Sequence, residues 1–129
     1  MLLLDTHTFI WLASDRSLLP AKVLGLIEDE LAGLFISSIT ATEVGLLSRA
    51  GKINTFGLCE DFLFKNLKRF GIHEVPVDVD IALASTQLPP IHHDPFDRII
   101  IATAQKHGMV ILTKDRTIPT YPKVKAVWE

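Results

Sequence analysis

The run Met1-Leu2-Leu3-Leu4 is apolar at every position, closes on the carboxylate of Asp5, and passes into Thr6 and a helix-compatible segment with no turn cluster between. A strand with one wet face alternates apolar and polar residues. An unbroken apolar run instead means burial on both faces, as in a parallel strand covered by helices. Such a strand delivers Asp5 to the carboxyl edge of the sheet, where ligands of open α/β sheets bind. The layout returns near the other end of the chain, where Met109-Val110-Ile111-Leu112 runs into Thr113-Lys114-Asp115.

Strand-like and helix-like segments alternate between these ends. Thr6 to Ala13 reads as a short helix, and Pro20 takes the first-turn place of a second one, striped by Val23, Leu24, Ile27, Leu31 and Leu34 and stopped near Gly33. Residues 34–39 are expected to form a strand, with Thr40 capping the next helix, Glu43 closing its capping box and Gly51 near its end. Leu58, Phe62, Leu63, Leu67 and Phe70 form a helical stripe ending at Gly71. Residues 72–77 alternate like a strand, and 78–88 return to helix until Pro89-Pro90. Asp94 caps a helix from Pro95 to about His107, stopped by Gly108; strands over 110–113 and 124–128 follow. This alternation predicts a single α/β domain over residues 1–129: three α/β/α layers around a mainly parallel, twisted sheet of four to five strands.

Composition narrows the function. With 48% hydrophobic residues and a mean hydropathy of +0.30, the chain is oily. A sheet buried on both faces accounts for this, as does an apolar surface covered by a partner or second copy. Cys59 is alone, so no internal disulfide forms and a reducing, cytoplasmic setting is expected. No apolar run nears the ~20 residues of a membrane span, and a basic n-region of a signal peptide is lacking. A net charge of −2 excludes gripping nucleic acid by bulk electrostatics. A cation among the acids would reverse the local field. Arg49, Lys52, Arg98, Lys106, Lys114 and Arg116 remain as basic groups to guide a phosphate backbone.

Asp5, Glu43, Asp97 and Asp115 are the candidate working acids. Carboxylates brought together repel one another and persist where a hard divalent cation holds them. Each also has a structural reading. Asp5 caps the first helix, Glu43 completes a capping box, and Asp115 starts the turn at Arg116-Thr117. In Asp94-Pro95-Phe96-Asp97, Asp94 is the cap, Pro95 is N1 and Asp97 is N3, where the helix dipole favours an anion or a ligating carboxylate. Thr6 and Thr113 stand beside strand-end acids, within hydrogen-bonding reach. His7, His92 and His93 form no His-x3-His pair, which argues against zinc, and His92-His93 is expected in an exposed loop. No Gly-x-Ser-x-Gly, Gly-x-Gly-x-x-Gly or P-loop occurs, which argues against serine nucleophiles and nucleotide cofactors.

Taken together, Leu2-Leu3-Leu4-Asp5-Thr6-His7, Ser37-Ser38-Ile39 leading to Glu43, His93-Asp94-Pro95-Phe96-Asp97-Arg98-Ile99-Ile100-Ile101-Ala102 and Leu112-Thr113-Lys114-Asp115 resemble the PIN-domain family. The likeness is to its VapC-type ribonuclease toxins of bacterial and archaeal toxin–antitoxin pairs. Asp-Pro-Phe-Asp-Arg is the most specific piece. The resemblance implies an acidic magnesium site at the strand carboxyl ends, with Mn²⁺ as a possible substitute. The family's acids fall on Asp5, Glu43, Asp97 and Asp115, with Asp5 and Asp97 as the usual magnesium ligands. The implied reaction is hydrolysis of RNA phosphodiesters, with Glu43 holding or deprotonating the attacking water. A homodimer and a cognate antitoxin over the cleft are also implied, with the stripes at 23–34 and 58–70 serving the core or such contacts. Two rival readings are a phospho-accepting receiver-like signalling domain and a non-catalytic binding subunit on the same fold. A receiver shows paired acids after the first strand and an Asp after the middle one; here Asp5 stands alone and Ser-Ile-Thr follows residue 37.

Overall fold

The computed structural model describes residues 1–29 and 32–129. Five strands, β1 (Leu2–Leu4), β2 (Leu34–Ser37), β3 (Ile72–Val75), β4 (Val110–Leu112) and β5 (Lys125–Val127), form one sheet in the order β3-β2-β1-β4-β5. Every neighbouring pair is parallel, and Leu4 lies opposite Ile36 on one side and Leu112 on the other. The helices are α1 (Thr6–Ser14), α2 (Ala21–Glu28), α3 (Ser38–Arg49), α4 (Cys59–Arg69), α5 (Val79–Thr86) and α6 (Pro95–His107).

The two-sided burial expected of the first run is met by two separate cores. Leu2, Leu4, Leu34, Ile36 and Leu112 pack against Phe9, Leu12, Val23, Val44 and Phe62 on one face of the sheet. Leu3, Phe35 and Ile111 point the other way, onto Ile100, Ile101, Ala104 and Ile118. Successive strand residues alternate sides, so an uninterrupted apolar strand feeds both cores and the fold has three layers. Phe9, fully buried, meets Phe62 edge to face at 6.2 Å, a preferred aromatic geometry. Among the described residues no helix is long and apolar enough to cross a membrane.

Strand order locates the crevice. From β1 the chain builds outward through β2 and β3, then returns to β1's other side for β4 and β5. Ligands of open sheets bind where the winding reverses, beyond the carboxyl ends of β1 and β4. Asp5 follows β1 directly, and Thr113 to Asp115 follow β4.

Several boundaries differ from those expected. The second helix ends at Glu28, so of its stripe only Val23 and Ile27 are buried within it; Leu34 belongs to β2 and Leu31 lies outside the described residues. Strand β2 stops at Ser37, whose hydroxyl accepts the Ile39 N–H at 3.1 Å and caps α3 three residues before Thr40. Thr40 is therefore no cap, and Glu43 is not the return half of a capping box but a residue of the helix interior. Strand β3 stops at Val75, ahead of Pro76, and the Val77 N–H is taken by the Ser38 hydroxyl at 3.0 Å. The final helix follows its sequence signals closely: the Asp94 carboxylate accepts the Phe96 N–H at 2.9 Å, Pro95 is N1, and Gly108 closes the helix in the left-handed region at φ 65°.

Candidate active site

Five carboxylates face one cavity of about 320 Å³ at the predicted edge: Asp5, Glu43, Asp94, Asp97 and Asp115, rimmed by His7, Trp11 and Lys114. Four elements bring them there. Asp5 is delivered by β1 and doubles as the cap of α1: Oδ1 accepts the Thr8 N–H at 2.8 Å, and Oδ2 accepts the Thr113 hydroxyl. Thr113 in turn accepts the Asp115 N–H at 3.0 Å, tying the ends of β1 and β4 together. Thr6 pairs with the Thr40 hydroxyl at 3.2 Å, linking α1 to α3.

Glu43 enters from α3. Its Oε1 is buried and has no hydrogen-bond partner among the described residues. Burial pushes its carboxyl above the usual range, the Thr6 hydroxyl opposes this, and the charges of Asp94 and Asp5 add to the rise. Asp97, in the first turn of α6, is raised to about 7, by burial first and then by Asp94, while His92 works against the rise and Glu43 and Asp5 add to it. Asp115 goes the other way. Burial raises it, but hydrogen bonds from His92 and from the Thr117 and Ile118 N–H groups hold it below its ordinary value.

His92 is misplaced by the sequence reading. Its side chain is only 15% exposed rather than free in a loop, and its Nε2 lies 3.0 Å from Asp97 Oδ2 and 2.8 Å from Asp115 Oδ2. The one local clue is the spacing to Asp94, whose backbone N–H donates to His92 Nδ1 at 3.1 Å. Contact with Asp115, 23 positions away, leaves no periodic trace. Arg98 also differs from expectation. Its Nη1 donates to the Pro89 carbonyl and its Nη2 to the Leu88 carbonyl, both at 2.9 Å, with longer contacts to the His92 carbonyl and the Tyr121 hydroxyl. That guanidinium clamps the loop before α6 instead of facing the acids. Lys114 stays at the cavity rim, its Nζ 5.9 Å from the Trp11 ring centre, and Arg116 lines an adjoining cleft with Trp128. Trp11, which carries no sequence signal of a site, lies 5.8 Å from His7 on α1.

The arrangement suits a divalent cation. Clustered acids, an unpartnered buried carboxylate oxygen and an Asp held near neutrality are each unfavourable alone, and a hard cation offsets all three. Carboxylate oxygens suit Mg²⁺ or Mn²⁺ better than a soft metal. His92, Asp97 and Asp115 also lie close enough, within 4.8 Å of one another, to suggest a three-ligand site.

The sequence pattern of the PIN domain matches residues 2–124. The chain belongs to the PIN-domain family. This PIN-domain chain is 29% identical over 131 residues to Ribonuclease VapC22 of Mycobacterium tuberculosis, covering 98% of this chain and 97% of the relative. Its fold is similar to VapBC2 of Rickettsia felis bound to a promoter DNA fragment (TM-score 0.72, 14% identity, 99% and 98% of the two chains covered). It is also similar to FitAcB of Neisseria gonorrhoeae (TM-score 0.66, 24% identity, 98% and 96% covered). Membership in the PIN domain overturns the receiver-like reading. The observed strand order agrees: receivers follow 2-1-3-4-5, whereas here β1 lies between β2 and β4.

Proposed function

We propose that this PIN-domain protein is a Mg²⁺-dependent endoribonuclease, the cytoplasmic toxin of a toxin–antitoxin pair, with residues 1–129 acting as one PIN-like unit. The observation that carries the reading is the convergence of Asp5, Glu43, Asp97 and Asp115 on one cavity where the sheet's winding reverses. The similarity to a protein named a ribonuclease and to toxin–antitoxin structures supports it. The complete acid set favours an enzyme over a binding subunit on the same fold.

Asp5 and Asp97 would hold the cation, with Mn²⁺ able to replace Mg²⁺. When bound, the cation supplies Lewis-acid polarisation of the scissile phosphate and makes a nearby water more acidic. Glu43, with a raised carboxyl and an oxygen that lacks a partner, is suited to orient the attacking water and accept its proton. Asp94 is engaged as the α6 cap and would act by its charge on Asp97. Thr113 holds the Asp5 carboxylate in place, and Thr6 moderates Glu43. Lys114 and Arg116, which line the cleft beside the acids, would meet the RNA backbone, while the Arg98 guanidinium is taken up by the loop carbonyls.

A short unstructured RNA should be cut in Mg²⁺ and left intact in excess EDTA. Cleavage that persists undiminished in EDTA removes the metal-dependent reading. The antitoxin and the homodimer are tested by mass measurement of the complex co-purified from its own cells. The expected result is two copies of this chain with a smaller partner, and a lone monomer contradicts both.

A further inference from the structure

His92 is chemically mismatched to the ligand role that its position suggests. A backbone N–H can only donate, so the contact from the Asp94 N–H requires a lone pair on His92 Nδ1. The proton of the imidazole then sits on Nε2, the atom bonded to Asp115 Oδ2 at 2.8 Å and 3.0 Å from Asp97 Oδ2. A nitrogen that carries a proton does not ligate a cation; it donates to Asp115 and stands 3.0 Å from Asp97. Ligating histidines usually show the reverse pattern, donating through the other ring nitrogen. The backbone that carries the ring is also held: the His92 backbone N–H donates to the Tyr121 hydroxyl at 2.7 Å, and that hydroxyl donates onward to the Pro89 carbonyl at 3.1 Å.

Asp115 is correspondingly occupied. Its Oδ1 accepts the Thr117 N–H at 2.7 Å and the Ile118 N–H at 3.3 Å, and its Oδ2 accepts from His92. Three of the roughly four acceptor positions of a carboxylate are thus taken. Asp97 accepts no such bonds among the described residues: its Oδ2 lies 3.0 Å from His92 Nε2, and the side chain lines the cavity.

We propose that His92 is a positioning residue: its Nε2–H bonds Asp115, and that bond holds the positive edge of the ring against Asp97. In this arrangement Asp115 anchors His92, His92 orients Asp97, and Asp97 meets the cation; neither His92 nor Asp115 is a ligand. The inference rests on the proposed cation site at Asp5 and Asp97, and it takes the fourth acid of the family pattern out of the coordination shell.

The test uses the intact, metal-free protein and does not read RNA cleavage. Mn²⁺ affinity is measured by the loss of the free-ion electron paramagnetic resonance signal, and ¹⁵N signals of the His92 ring are followed as Mg²⁺ is added. The wild-type ring should report a proton on Nε2 and a bare Nδ1, unchanged at saturating Mg²⁺. His92→Phe should weaken Mn²⁺ binding roughly 10- to 100-fold, as loss of a group that supports a ligand from outside the coordination shell typically does. His92→Gln, which restores an N–H donor, should stay within about threefold of wild type. Asp115→Asn should lose less than about tenfold, whereas Asp97→Asn should lose binding altogether. A ring shift to metal-coordinated Nε2, unchanged affinity in a folded His92→Phe, a His92→Gln as weak as His92→Phe, or an Asp115→Asn as dead as Asp97→Asn each overturns the proposal. If His92→Phe does not fold, the wild-type ring signals and His92→Gln still decide it. A wild type that binds Mn²⁺ in this pattern but cuts no RNA overturns the nuclease reading alone; one that binds no Mn²⁺ overturns both.

Discussion

Asp5→Asn is expected to lower RNA cleavage on the order of 10³-fold or more, about 4 kcal/mol of transition-state stabilisation, while leaving the protein folded. The asymmetry follows from the two tasks of this side chain. As a cap it needs only an acceptor for the Thr8 N–H, and the Asn carbonyl oxygen supplies one. As a cation holder it needs its negative charge, which Asn lacks. The bond from the Thr113 hydroxyl is weakened or reversed, a loss of roughly 1 kcal/mol. Thermal melts should therefore show two folded proteins whose midpoints differ by a few degrees at most, one nearly inactive. A variant that keeps activity within tenfold of wild type and the same Mg²⁺ requirement would sink the mechanism.

The second large effect concerns stability, and its sign is opposite to that of most core changes. Asp97 in the folded protein holds its proton up to about pH 7, against 3.8 for a free side chain. Between those values the folded state carries more protons than the unfolded one, so stability falls as pH rises through that window and the full penalty stands above pH 7. A difference of that size corresponds to on the order of 4 kcal/mol, shared among coupled acids. In the metal-free protein at pH 8, Asp97→Asn should accordingly raise stability by roughly 2 kcal/mol and the melting temperature by several degrees. At pH 4 the two should melt together. Added Mg²⁺ should stabilise the wild type more at pH 8 than at pH 5, because binding displaces a proton at the lower pH, and should do little for the variant. The stabilised variant should be inactive, a trade of function for stability often seen at charged sites. Metal-free Asp97→Asn no more stable than wild type at pH 8 contradicts the picture of an acid held at a cost until a cation arrives.

How much of this was legible depends on how local the determinants are. The helix from Pro95 to His107 was readable to the residue, because the Asp94 cap, Pro95 and Gly108 act within a turn of their own positions. The start of α3 was not. Ser37 and Thr40 are both competent caps, and the choice between them is made by the pairing of Ser37 with Val75 and the bond from the Val77 N–H to Ser38. The shift moved Glu43 from the first turn into the helix interior, in the wall of the cavity. Arg98 looked like a substrate contact in a charged motif, but carbonyls 6 to 10 residues away claim it.

Hydrophobic runs and caps, whose energies are set by neighbours along the chain, were enough to predict the layers, the parallel sheet and the acids that converge. Which atoms of those acids face one another, and the imidazole lodged between Asp97 and Asp115, depend on contacts between segments far apart in the chain. Burial and charge repulsion at that meeting point exist only once β1, α3, α6 and the end of β4 are packed together, so the uneven proton affinities of Asp97 and Asp115 belong to the tertiary structure.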